Sequence, residues 1–217
     1  MSLPFLYSFR RCPYAMRARL AIQAAGVTCE LREILLREKA PEFLAASEKA
    51  TVPVVVTNAG NVIEQSLDVM LWALAQADPF RWLVPETGTI DQAMALIAQA
   101  DADFKDNLDH YKYASRFENG EGEKARDAAS GFLYGLNDRL ANTENLTGGR
   151  TSLADMAIAP FVRQFANVDR AWFDQQNWPH LLAWLNRFLA STDFNAIMTK
   201  YPKWQSGDAP TNFPQEA

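Results

Sequence analysis

Phe5-Leu6-Tyr7-Ser8-Phe9-Arg10-Arg11-Cys12-Pro13-Tyr14-Ala15 is the stretch that decides how this chain folds. Its first five residues are short, apolar and rich in aromatics, and the polar break at Arg10-Arg11-Cys12 ends them, which reads as a buried strand. Pro13 suits the first position of a helix, where its missing N–H costs nothing. From there Ala15, Ala18, Ala21/Ile22 and Ala25 recur at three-to-four spacing until Gly26 closes the helix. Working outward, 29–34 alternates like a second strand and 41–47 is a short helix. Val52-Pro53-Val54-Val55-Val56, the turn at 58–61 and Val62-Ile63 form a hairpin, and 66–77 is helical with Leu67, Met70/Leu71 and Leu74 on one face. The order β-α-β-α-β-β-α demands a mixed sheet, because the crossover makes parallel neighbours and the tight turn antiparallel ones.

Beyond Asp78-Pro79 the rhythm changes. Residues 79–87, with two prolines before Gly88, read as a linker between a domain over 1–78 and a second over 88–217. Past the linker no strand is expected. Ile90, Met94, Ile97, Phe104, Leu108 and Tyr111 form one long helical stripe; Phe132, Leu136 and Leu140 a second; Leu181/Leu182, Leu185 and Phe188/Leu189 a third. The fold class is therefore an α/β N-terminal domain followed by an all-α bundle.

Composition narrows the function. In 217 residues, 48% are apolar and 22% charged, the profile of a folded globular chain. Net charge is 21 − 26 = −5, which speaks against nucleic acid or an anionic membrane as partner. No run has the roughly 18 apolar residues of a spanning helix, and the N-terminus does not read as a secretory leader. With two cysteines, Cys12 and Cys29, and two histidines there is no disulfide framework and no metal-ligand spacing. A cytoplasmic protein without a metal is the expectation.

Cys12 is the most informative residue, readable as an activated thiol or as a small hydrophobe at a strand end. Lying between a strand and a proline that opens a helix, its sulfur meets unpaired N–H groups and the positive end of the helix dipole. A thiol so placed falls below its ordinary pKa of about 8.5, and Arg10, Arg11 or Arg17 would lower it further if they reach it. A dithiol oxidoreductase needs a second cysteine three residues on; here that residue is Ala15, and Cys29 is expected to be buried and inert. A monothiol site must be resolved by an external thiol. Pro53 opens a strand; a cis bond before it would turn the Val52 backbone outward to pair with an extended peptide, whereas a trans proline would be an ordinary edge feature. Ser66 is placed to cap the next helix, where the helix start could also hold a carboxylate.

Together these segments resemble the cytosolic glutathione transferase superfamily, whose thioredoxin-like domain precedes a helical one. Tyr7 through Ala15 is most similar to the omega-type and glutaredoxin-like branches, which carry an active-site cysteine. Val52-Pro53 resembles the family's cis-proline signature and Gln65-Ser66 its Glu-Ser or Gln-Ser pair. Thr151-Ser152-Leu153-Ala154-Asp155 resembles its buried capping motif, in which Asp155 answers the Ser152 cap.

The resemblance implies glutathione as co-substrate and a homodimer. Cys12 would form the mixed disulfide, Val52 and Pro53 would take the cysteinyl unit, Gln65 and Ser66 the γ-glutamyl end, and Lys39 (or Arg37) the glycyl carboxylate. The departure is Gln65, where omega-type members have glutamate; Glu64 is expected to point elsewhere, and Asp101 of a neighbouring subunit is the proposed replacement. Phe9, Tyr14, Tyr111, Tyr113, Phe117, Trp172 and Phe173 are candidate walls for a small electrophilic or disulfide substrate, with Phe9, Tyr14 and Tyr111 retained. The function implied is glutathione-dependent thiol transfer or reduction on Cys12. The alternatives are conjugation of electrophiles using Tyr7 or Ser8, and a non-catalytic binding module.

Overall fold

Residues 3–116 and 120–215 are described by a computed structural model. The aromatic stretch becomes β1 (Phe5–Ser8), and the following segments become α1 (Pro13–Ala24), β2 (Cys29–Glu33), α2 (Pro41–Ala46), β3 (Val54–Val56), β4 (Val62–Ile63) and α3 (Ser66–Gln76). β1 pairs parallel to β2 and antiparallel to β3, which pairs antiparallel to β4. The expected mixed sheet is thus present. Both α1 and α2 start on a proline, and Gly26 stands past the end of α1 with φ at +66°. α1 packs against α3, burying Met16, Leu20 and Ile22 together with Val69, Met70 and Ala73.

The chain's contacts group residues up to Phe80 with those from Ser191 onward, and Arg81–Ala190 separately. Within the latter stand α4 (Ile90–Gln99), α5 (Lys105–Lys112), α6 (Glu121–Leu140), α7 (Leu153–Ala166), α8 (Arg170–Asp174) and α9 (Pro179–Ala190). α5 packs on α6, α6 on α9 and α4 on α7. The long stripe expected over 90–111 is interrupted by a five-residue π-helical stretch, Ala100–Phe104, kinked at Ala102 (φ −93°, ψ −118°). One wide turn shifts the helical register, so Phe104 and Leu108 stay buried while Asp101 is half-buried.

The capping motif is also a hub. Asp155 is fully enclosed and accepts hydrogen bonds from the Ser152 N–H (2.9 Å), the Ser152 hydroxyl (2.7 Å), the Leu146 N–H (2.8 Å) and the Trp184 indole (2.9 Å). Burial pushes its carboxyl above the usual carboxylate range against those four donors.

The remaining elements return to the sheet. α10 (Thr192–Ile197) packs on α1, and β5 (Asn212–Phe213) pairs antiparallel with β2, giving the order β4-β3-β1-β2-β5. The expectation that no strand follows the linker is corrected here. Two residues show no period in sequence; β5 exists because β2 leaves an edge open and Phe213 is buried there. A buried cation fastens this segment. Arg19, inside α1 and 0% exposed, donates to the Ser8 hydroxyl (2.8 Å) and the Ile197 carbonyl (3.0 Å), and pairs with Glu33.

Candidate functional site

A cavity of about 430 Å³ opens at one end of the sheet, with walls from four separate stretches. Cys12 and Tyr14 come from the start of α1, Leu36 and Lys39 from the β2–α2 connection, Ala50 to Pro53 from the approach to β3, and Glu64 to Ser66 from the start of α3. The cavity therefore brings together Cys12, Lys39, Val52, Pro53, Gln65, Ser66 and Tyr14 from the sequence reading. It adds Leu36, Ala50, Thr51 and Glu64, which that reading did not place there.

Cys12 is the N-cap of α1, with extended backbone (φ −78°, ψ 123°), and it is half-buried. Its N–H donates to the Phe9 carbonyl (2.9 Å), its C=O accepts the first helical bond from Met16 (2.9 Å), and its thiol lies 3.7 Å from the Val52 carbonyl. The Val52–Pro53 peptide bond is cis. The Cys12 side chain makes no cap hydrogen bond to the first turn of α1. A position at a helix start, with N–H groups that lack helical acceptors and the positive end of the dipole, in general favours an anion.

None of the arginines near it in sequence lines this cavity. Arg17 is buried with its guanidinium over the Tyr14 ring (5.8 Å). Arg10 reaches the Met198 carbonyl (3.4 Å), and Arg11 lies over the Phe9 ring (5.4 Å). The cation on the cavity wall is Lys39, which is exposed.

At the other end, Gln65 is the N-cap of α3 and Ser66 its first residue, with no side-chain cap bond. The capping role expected of Ser66 is corrected: the helix starts one residue earlier, so the buried serine turns to the cavity. Glu64, expected to point elsewhere, borders the cavity, and its carboxylate accepts from the Ser47 hydroxyl (2.5 Å). That partner lies 17 residues back, a distance at which no local pattern signals it.

Tyr7 and Ser8 line no part of this cavity. Tyr7 is 2% exposed, packs against Phe43 (ring centroids 5.3 Å apart) and accepts from Arg32 (2.7 Å). Ser8 is 0% exposed and accepts from Arg19. The second thiol, Cys29, is 0% exposed in β2, and burial pushes it up to about 12. Phe9 lies on a different cavity beside Arg10 and Arg11. Tyr111, in α5, packs against Phe165 (5.2 Å), and burial raises its phenol. Tyr113 follows α5, half-covered by Lys112 and Arg116; Trp172 and Phe173 join the aromatic cluster around Trp178; Phe117 lies outside the described residues.

Two family models match: glutathione S-transferase, N-terminal domain, over residues 6–81, and glutathione S-transferase, C-terminal domain, over 114–187. A probable glutathione S-transferase of rice, Oryza sativa subsp. japonica, is 31% identical over 196 residues, covering 84% of this chain and 83% of its own. Among solved structures, glutathione transferase Omega 3C of Trametes versicolor superposes with a TM-score of 0.78 at 16% identity, over 93% of this chain and 91% of its own. A glutathione transferase family member of Pseudomonas fluorescens, solved with two glutathione bound, does so with a TM-score of 0.79 at 16% identity, over 91% and 92%. Matched through both halves by sequence and along its length by fold, the chain belongs to the glutathione transferase family.

Proposed function

We propose that this protein is a glutathione-dependent thiol transferase that works through one cysteine. The observation that carries the reading is the position of Cys12, at the helix start and on the wall of the 430 Å³ cavity, while the hydroxyls of Tyr7 and Ser8 are buried and bonded to arginines. A conjugating enzyme needs a hydroxyl beside the glutathione sulfur, and neither of these lines the cavity. The Pseudomonas relative solved with glutathione supports the same ligand here.

In the first step the Cys12 thiolate attacks the glutathionyl sulfur of a mixed disulfide, RS–SG. The S–S bond breaks, RS⁻ leaves and takes a proton from water, and Cys12 carries the glutathionyl group. A second glutathione thiolate then attacks that sulfur, giving oxidised glutathione and restoring the Cys12 thiolate. The sum is RSSG + GSH → RSH + GSSG. Ala15 leaves no internal thiol to compete with the second glutathione.

Within the cavity, Val52 and Pro53 take the cysteinyl unit, Lys39 the glycyl carboxylate, and Gln65 with Ser66 the γ-glutamyl carboxylate at the α3 start. The γ-glutamyl ammonium calls for a carboxylate, and either Glu64 on the wall or Asp101 of a second copy supplies it. Tyr14 is the wall residue toward the second substrate.

Glutathione-dependent reduction of a glutathione mixed disulfide by the wild type, Cys12→Ala and Tyr7→Phe tests the reading. Cys12→Ala should lose at least about 10²-fold and Tyr7→Phe little. Activity retained by Cys12→Ala and lost by Tyr7→Phe would shift the assignment to conjugation. A protein that binds glutathione without turnover would be a binding module.

A further inference from the structure

A second cavity, of about 250 Å³, lies in the same unit and has no role in the reading above. Its lining includes the apolar Phe9, Ile34, Leu35 and Tyr201. The same lining carries four cations, Arg10, Arg11, Lys200 and Lys203, and one carboxylate, Glu33. Such a concentration is unexpected in a chain of net charge −5.

The carboxylate does not neutralise the cavity. One oxygen of Glu33 accepts from the Arg10 backbone N–H (2.7 Å), and the other is held by buried Arg19. Lys203 is paired with Glu38 (2.7 Å) and Arg10 donates to the Met198 carbonyl (3.4 Å), so both are partly used. Arg11 and Lys200 are exposed and have no acidic partner among the described residues. A cleft with one sign of charge over an apolar wall concentrates counter-ions of the opposite sign. A guanidinium matches the planar carboxylate in two-point fashion.

The two cavities also share a partition. Arg11 faces the second and Cys12 the first, and they are consecutive; Leu35 and Leu36 divide in the same way. Consecutive Cα atoms are about 3.8 Å apart, so an occupant of the second cavity lies beside the turn that presents the thiol.

We infer that the second cavity binds a small organic anion, a carboxylate on an apolar body, with Arg11 and Lys200 holding the charge and Phe9, Ile34 and Tyr201 the body. Resting on the thiol-transfer reading of Cys12, the cavity is where the group exchanged there docks. The volume suits a ligand of roughly ten non-hydrogen atoms.

The test is a calorimetric titration of the full chain, at low salt, with 3-phenylpropionate and with its uncharged amide. The acid should bind at least about 5-fold more tightly, and Arg11→Ala/Lys200→Ala should remove that preference. Cys12→Ala and Lys39→Ala should keep it. Equal binding of acid and amide, no saturable binding of the acid, or a preference lost with Lys39→Ala would each overturn the site. Both substituted side chains are exposed, and thermal unfolding of the double variant checks its fold independently. A kinetic arm compares glutathione mixed disulfides of 3-mercaptopropionate and 2-mercaptoethanol. The wild type should favour the anion in kcat/KM, and the double variant should not. No thiol transfer with the binding pattern intact supports the anion site and counts against the Cys12 reading alone.

Discussion

Cys12 and Cys29 are the same functional group in opposite surroundings. Cys12 is half-buried at a helix start and borders a cavity. Cys29 points into the core from a strand covered on its outer side by β5, with no exposure, and its thiol is pushed up to about 12. The difference teaches that a thiol's chemistry belongs to its position: one stands at a helix start on a cavity wall, and at the other desolvation disfavours the charged form.

The largest effect that could break this contrast is on turnover. Cys12→Ser should lower glutathione-dependent disulfide reduction by about 10³-fold, on the order of 4 kcal/mol in the barrier. Cys29→Ala should stay within about twofold of the wild type. A comparable loss from Cys29→Ala, measured under the same assay, would erase the distinction.

Reactivity sharpens it next. Iodoacetamide at pH 8 should label one thiol in the folded protein and two after denaturation, with the slow site at least about 100-fold slower. Peptide mapping should find the fast label on Cys12.

Alkaline stability reads the buried thiol directly. The folded value of Cys29, about 12, lies above the ordinary 9.0, so the unfolded chain releases its proton first. The stabilisation is whole below pH 9 and lost as pH rises from 9 toward 12, with a limiting slope of about 1.4 kcal/mol per pH unit. By pH 10 the wild type should have lost about 1 kcal/mol more than Cys29→Ala, seen as the difference between their denaturant midpoints at pH 8 and pH 10.

The smallest effect concerns the groups around Cys12. Lys39→Ala should raise KM for glutathione about 5- to 10-fold with little change in kcat, an exposed charge-assisted contact being worth about 1 kcal/mol. Comparing Glu64→Gln with Asp101→Ala in a glutathione titration identifies which carboxylate answers the ammonium. A similar loss in the first alone assigns it to Glu64.

Much of this was legible where the signal is local. A proline after Cys12 and a glycine at 26 mark both ends of α1, and the spacing of Ser152 and Asp155 marks the start of α7. Other placements depended on contacts that spacing does not encode. Arg10, Arg11 and Arg17 sit within five residues of Cys12, yet none lines its cavity: Arg10 reaches the distant Met198 carbonyl, and Arg11 and Arg17 lie over the nearby Phe9 and Tyr14 rings. Glu64 reached the cavity wall because Ser47 holds it there. Even at Asp155 the motif shows one of the two clamps; the Leu146 and Trp184 donors come from a loop and another helix.

The sequence by itself determined the elements of the first domain up to α3, the mixed sheet they form and the residue types that meet around Cys12, because periodicity, caps and turn residues act over a few positions. Only the tertiary structure decided where the charges go. Arg19 joins Ser8, Glu33 and Ile197 across up to 178 residues, and a buried cation must find acceptors wherever the fold brings them. The same requirement spends Glu33 on the interior and leaves Arg11 and Lys200 facing a cavity, an outcome set by which partners are within reach rather than by any spacing along the chain.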